Sequence, residues 1–436
     1  MTPEPDARDG FESRPADWLS VAEAQARILG VHTRPGLETV PLQEALGRAL
    51  AEDVRATAVL PPWDNAAMDG FAVRAEDIEG AAPDSPVRLP VAGSVRAGSP
   101  SPEPLAAGAA IRIMTGAPLP AGADSVVRVE DTDGEAVAGT VVVTSDRDAS
   151  RNVRPGGQDM RPGDLVLPAG RCVEPGVIAV LAATGRPHVT VRKRPSVVIL
   201  TTGDELRDPD RFDDVIAGRG IPDTNGPMLA AAVLQAGGTP VLAGIARDDV
   251  SSLTSAFDDV EDADVVVTVG GASMGEADLV KRVLDGLGLQ LDFWRVTMRP
   301  GSPFGFGRLA RADRAQPVFM LPGNPASAFV TFELFVRPFL LAFAGHRVVH
   351  RPVLRCRAGT DLQGAAGLSF YARVTLEAAD PVPVATPTGP QGSGLVRGLG
   401  IADGLALVPP DPGFVPAGAD VDVLQLTGWE RPGPAP

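Results

Sequence analysis

The sharpest pattern of apolar and polar positions lies between residues 195 and 345. Short apolar, β-branched runs alternate there with amphipathic stretches. SVVILTT (196–202), VLAGIA (241–246), DVVVTVGG (264–271) and PVFMLPG (317–323) read as strands. GPMLAAAVLQAGG (226–238), DVSSLTSAFDDV (249–260), GEADLVKRVLDGLG (275–288) and ASAFVTFELFVRPFLLAF (326–343) read as helices. Runs without polar alternation belong to strands covered on both faces, so this region is expected to form an open, doubly wound parallel sheet.

The flanking regions have a different texture. Ser20-x-x-Glu23 has the spacing of a capping box and opens a helix that carries Ile28 and Leu29. A second helix is expected over LQEALGRALAEDV (42–54). From 60 to about 150, SPVRLPVAGSV, AAIRIM, DSVVRVE and GTVVVTS are short strands broken by Gly, Pro and Asp, a β-rich module. RNVRPGGQDMRPGDLVLPAG and the short helix VIAVLAATG fill 151–193. After 346, VLRCRAG, ARVTLEA, GLALVPP and DVDVLQL give a small all-β domain, barrel or sandwich. The expected division is 1–58 with 151–193, then 59–150, 194–345 and 346–436.

Composition narrows the class of partner. At 436 residues the chain exceeds one ordinary core, and its 22% charged and 44% hydrophobic content is that of a soluble globular protein. A net charge of −16 argues against nucleic acid, whose phosphates demand a basic surface. Glu333, Arg337 and Pro338 interrupt the most apolar late segment, so it reads as a packed helix and no membrane is expected. With no export signal at the start, the cytoplasm is the expected compartment. Cys172 and Cys356 lie far apart and the four histidines do not cluster, so neither a disulfide framework nor a Cys/His zinc site is expected.

Candidate chemistry gathers at loops. TTGDEL (201–206), VGGASMGEAD (269–278) and LPGNPAS (321–327) each follow a strand, at the carboxyl edge where open α/β sheets bind ligands. Gly203, Gly270, Gly271, Gly275 and Gly323 let backbone approach an oxyanion, and Ser273 and Ser327 add hydroxyls. None of the loops has the dinucleotide or Walker pattern. Asp204, Glu205, Asp248, Asp249, Glu276 and Asp278 pool at the same edge. Individually they read as caps, and together they suit a hard cation such as Mg²⁺. Arg295 and Arg299 in FWRVTMRPGSPFGF either face an oxyanion or lie on a solvated strand face. PPWDNAAMDGFA (61–72) places Asp64 and Asp69 where both plain turn capping and a functional role are open.

Six motifs in order, PPWDNAAMDGFA, IRIMTGAPLPAGADSVV, TTGDEL, VGGASMGEADLVK, RPGSPFGFG and LPGNPASAFVTFELFVRP, resemble the molybdopterin molybdenumtransferases, the family of bacterial MoeA and the gephyrin E domain. The resemblance implies a four-domain fold: a helical or mixed N-terminal domain, a β-rich second domain, a doubly wound molybdopterin-binding domain and a C-terminal β-barrel. It implies a homodimer with composite sites that inserts molybdate into adenylylated molybdopterin and releases AMP with Mg²⁺. It also implies possible dealings with the adenylyltransferase that makes the substrate and with acceptor molybdoenzymes. Carried over by motif, the reactive positions are Asp64, Thr115, Asp159, Glu205, Asp248 and Asp278, with Glu205, Asp248 and Asp278 as metal ligands. Arg295 and Arg299 stand where the family has lysines. Pro322, Gly323, Asn324, Pro325 and Ser393 complete the substrate-binding set. Departures are Ala66 and Phe71 for two hydroxyl residues, Ser302 for a lysine, Gln158 before Asp159, and Pro222 for a tyrosine. Two rival readings are a tungstate-inserting paralogue and a non-catalytic scaffold on the same fold.

Overall fold

The computed structural model describes residues 18–31, 35–99, 103–258, 262–270, 277–311 and 314–428. The chain divides into two compact units, Met1–Ala51 with Gly170–Glu174 and His188–Pro436, and Glu52–Ala169 with Pro175–Pro187.

The first unit is built on a six-stranded sheet. Strands Thr239–Ala246, Ser196–Thr202, Val265–Val269 and Ala315–Leu321 lie side by side and parallel. Gly305–Ala310 and Leu289–Trp294 extend the sheet antiparallel. Alternate residues of the central strands serve opposite faces. Val197, Ile199, Val265 and Val267 pack with Leu229, Val233, Phe332 and Phe335. Val198, Leu200 and Val266 pack with Leu253, Phe257, Val280 and Leu284. That two-sided burial is why the strands lack polar alternation, and each such side chain contributes about 1.5–3 kcal/mol when fully buried.

The segment Pro325–Phe343 is long and apolar enough to cross a membrane, yet 78% of it is buried within the fold. It is a core helix containing a π-turn at Phe332–Val336. The Phe304 and Phe335 rings stack with centroids 4.4 Å apart. Buried Glu333 is held by a fork of Arg351, Nε to Oε2 at 2.8 Å and Nη2 to Oε1 at 3.0 Å. The C-terminal part closes as a barrel: Ser369–Glu377, Val384–Pro387, Val353–Ala358, Asp420–Gln425 and Gly404–Val408 follow in order, and the last pairs back with the first.

The capping box forms as expected: the Ser20 hydroxyl accepts the Glu23 amide and the Glu23 carboxylate accepts the Ser20 amide over helix Val21–Leu29. The helix expected over 42–54 does not form. Only a 3₁₀ turn, Leu42–Glu44, is present, because Gly47 takes φ +75° and the following backbone is claimed by distant partners. The Gly47 amide bonds the Val173 carbonyl at 2.9 Å and that of Leu50 bonds Arg171 at 3.0 Å. An apolar periodicity was outweighed there by long-range pairing. Strand Leu37–Pro41 pairs antiparallel with His188–Arg192.

The second unit carries a five-stranded sheet, ordered Ser125–Arg128, Gly70–Val73, Ala110–Ile113, Val87–Val95 and Thr140–Val143. Its polar anchor is Asp148, fully buried and gripped by Arg128 at Nε (2.9 Å) and Nη2 (2.8 Å). Burial pushes this carboxyl up, but the Arg128 hydrogen bonds and charge and the Asn152 contact prevail and hold it at about 2.

Candidate functional site

At the carboxyl edge of the parallel strands the backbone is unusually bare. Gly203 (φ +146°) and Gly270 (φ +112°) occupy conformations open mainly to glycine. A Cβ on Gly270 would stand 2.5 Å from the Thr202 carbonyl oxygen, and one on Gly323 would stand 3.3 Å from the Gly270 Cα. The three strand ends therefore meet through backbone. The Asn225 side chain donates to the Gly323 carbonyl at 2.7 Å, and Asp223 accepts the Asn225 and Gly226 amides at 3.0 and 3.1 Å. With the Gly323 carbonyl turned inward, the trans peptide directs the next amide, that of Asn324, the opposite way. Neither Asn225 nor Asp223 is among the sequence candidates; their signal is the Asp-Thr-Asn-Gly turn before a helix.

Asp248 follows the neighbouring strand, and its Oδ2 accepts the Asp204 amide at 3.3 Å. Glu205 is exposed and its carboxylate folds over Gly203, where an added Cβ would be 2.7 and 2.8 Å from its two oxygens. Glu205 and Asp248 are oxygen donors from adjacent strand ends, which fits a hard cation in kind. Among the described residues no group of three or more His, Cys, Asp or Glu lies close enough to hold a metal ion. Asp278 belongs to helix Ala277–Gly286, but its side chain, with Gly271, Ser273 and Gly275, lies outside the described residues.

The antiparallel strands bring the arginine segment to the same edge, since Trp294 pairs with Gly305, which pairs with Met320 one residue before Leu321. Arg295 is left-handed at φ +82° and its guanidinium lies 5.3 Å from the centroid of the Trp18 ring. Arg299 is exposed. Ser302 is turned inward, its hydroxyl bonded to the Met298 carbonyl, so this departure serves the loop itself. Pro322 is buried, while Gly323 and Asn324 are exposed ahead of helix Pro325–Thr331, in which Ser327 is buried. Ser393 meets that helix start: its carbonyl accepts the Ala326 amide at 2.9 Å. Beneath the Ser393 loop lies Arg373, fully buried, with Nη2 on the Pro390 and Gly392 carbonyls at 3.3 and 3.2 Å and with Nε and Nη1 unpartnered. A lone arginine in a strand gives no sequence signal of such burial.

In the second unit both carboxylates of PPWDNAAMDGFA brace loops. Asp64 Oδ1 accepts the Gly156 amide at 2.7 Å. Asp69 Oδ1 accepts both the Thr115 amide and the Thr115 hydroxyl at 2.7 Å, and these two bonds hold its carboxyl below the usual range. Asp159 is exposed, with its amide on the Leu60 carbonyl at 3.1 Å. Leu60, Pro61, Asn65, Arg154, Gln158 and Asp159 line a cleft of about 570 Å³. Asp64, Thr115 and Asp159 are thus placed on braced turns of one unit. Ala66 and Phe71 are buried at 0% and 1% exposure, so the two missing hydroxyls fall in the interior of this unit. Pro222 pairs with Arg207 in a two-stranded ladder of the first unit.

Three family models match in chain order: the MoeA N-terminal region (domains I and II) over 19–185, the probable molybdopterin-binding domain over 198–342, and the MoeA C-terminal region (domain IV) over 355–426. The chain belongs to the MoeA family of molybdenum cofactor biosynthesis. Molybdopterin molybdenumtransferase 2 of Mycobacterium tuberculosis is 38% identical over 395 residues, spanning 89% of this chain and 95% of the relative. The molybdopterin molybdenumtransferase of Staphylococcus aureus is 32% identical over 93% of this chain and 95% of its own. The crystal structure of a molybdopterin biosynthesis MoeA protein from Pyrococcus horikoshii superposes with a TM-score of 0.81 at 28% identity, over 94% of this chain and all of that one. The expected family, multidomain fold and class of enzyme are therefore established, and the scaffold alternative loses its ground.

Proposed function

We propose that this MoeA-family enzyme takes adenylylated molybdopterin and molybdate, places molybdenum in the dithiolene and releases AMP, working in the cytoplasm as a homodimer. The observation that carries the reading is the convergence of three backbone-bare strand ends on one sheet edge with open carboxylates and two arginines. The substrates are anions, so the main task is bringing negative groups together. The Asn324 amide and the Pro325 helix start suit a phosphate, while Arg295 and Arg299 suit molybdate. Glu205 and Asp248, with Asp278, would hold Mg²⁺, which supplies charge neutralisation at the phosphoanhydride. No protein nucleophile is required, because the thiols belong to the substrate.

In this reading Asp64, Thr115 and Asp159 of one subunit act on substrate carried by the partner's sheet edge. Molybdate-triggered AMP release is the test of the reaction, and a preparation that binds the adenylylated pterin yet releases no AMP would refute it. Composite sites are tested by mixing inactive Asp64→Ala and Asp278→Asn chains. A two-fold dimer then gives one doubly defective and one intact site, with about half of wild-type activity per heterodimer. No recovery after confirmed subunit exchange would place the site within one chain.

A further inference from the structure

Arg295 does not stand alone at the sheet edge. Trp18 reaches it from the N-terminal segment, and the guanidinium lies over the indole face at 5.3 Å from the ring centroid. Backbone fixes the two together: Leu19 bridges Val296 in parallel, and the Leu19 carbonyl accepts both the amide and the hydroxyl of Thr297, at 2.8 and 3.2 Å. Arg295 takes φ +82°, a conformation a non-glycine residue occupies at a cost, and its amide is tied to the Phe304 carbonyl at 2.8 Å. The pair also carries two buried donors, the Arg295 Nε–H and the Trp18 Nε1–H, with no acceptor among the described residues. No carboxylate forms an ion pair with Arg295 among those residues either.

A guanidinium with no carboxylate partner among the described residues, held on a costly backbone turn at the sheet edge, has its charge available for an anion. Arginine, unlike lysine, is held flat against an aromatic ring and can be presented in one orientation. We propose that Trp18 is a positioning residue that holds the Arg295 guanidinium over its ring face in one orientation for a tetrahedral oxyanion. Molybdate and the substrate's phosphate share that chemistry. The inference deepens the reading of this edge as the oxyanion-handling site, and its test needs no turnover.

The experiment follows the indole N–H resonances of the ¹⁵N-labelled full-length protein, which has four tryptophans, with Trp18→Phe assigning the signal. Molybdate alone and AMP alone are titrated separately. The Trp18 indole signal is expected to move on addition of one of them, molybdate marking the metal oxyanion and AMP the substrate phosphate. Trp18→Phe keeps the ring face and should weaken that anion roughly threefold, and Trp18→Ala roughly tenfold. In an Arg295→Lys background both effects should shrink, because a lysine ammonium does not depend on the stacked plane. An indole signal indifferent to both anions overturns the proposal, as does an equal loss on Trp18→Ala or Trp18→Phe with arginine or lysine at 295. Absent AMP release by the wild type, with the indole shift intact, would count against the proposed reaction and leave the positioning role of Trp18 standing.

Discussion

The sheet edge of the first unit and the PPWDNAAMDGFA loop of the second both display acids near glycines, but Glu205 at the edge and the two acids of the loop are used in opposite ways. At the edge, the Glu205 carboxylate is exposed with no hydrogen-bond partner among the described residues, and Asp248 spends one oxygen on a single amide. In the loop, Asp64 pins Gly156 across 92 residues of sequence and Asp69 pins both donors of Thr115. Glu205 is left open to solvent, whereas Asp64 and Asp69 are each spent on a loop amide. An acid in a loop is thus informative only once its partner is known.

The largest separation of the two regions should come from Glu205→Gln and Asp278→Asn. We expect each to cut AMP release on the order of 100-fold, as loss of a group that stabilises transition-state charge does, with an unchanged denaturation midpoint for Glu205→Gln because an exposed acid adds little stability. Full turnover by both variants would break the contrast. Next is Gly270→Ala, which forces a side chain into φ +112° and to 2.5 Å from the Thr202 carbonyl. It should cost about 1–3 kcal/mol in stability and weaken adenylylated-pterin binding in a calorimetric titration.

Asp69→Ala should lower kcat about tenfold with little change in substrate affinity, since it frees the Thr115 hydroxyl without touching the sheet edge. An unchanged kcat would reduce Asp69 to a turn brace. The smallest effect concerns the second unit's anchor. Asp148 sits at about 2 when folded against a reference of 3.8, so its contribution is complete above 3.8 and is lost as pH falls through 2. That amounts to ~2 kcal/mol. Asp148→Asn should lower the urea midpoint near neutral pH and flatten its decline below about pH 4.

What the sequence revealed follows the range of the forces involved. The doubly wound sheet was legible because two-sided burial writes itself as unbroken runs such as SVVILTT, and the strand-end glycines mark the edge directly. The 42–54 segment misled because its apolar periodicity is local, whereas the contacts that shape it come from Arg171 and Val173. Asp69 and Thr115 lie 46 residues apart, and Trp18 and Arg295 lie further still, so no spacing rule joins either pair. Arg373 was invisible for the same reason: its burial is created by the loop 388–395 folding over it.

The contrast between an open and a braced set of acids is tested most directly by the Mg²⁺ dependence of AMP release, measured side by side in the wild type, Glu205→Gln and Asp69→Ala. If the edge acids hold the cation, Glu205→Gln should raise the half-saturating Mg²⁺ concentration by about tenfold or more, while Asp69→Ala lowers the maximal rate at an unchanged Mg²⁺ requirement. A Mg²⁺ requirement that shifts with Asp69→Ala and stays fixed with Glu205→Gln would contradict the account.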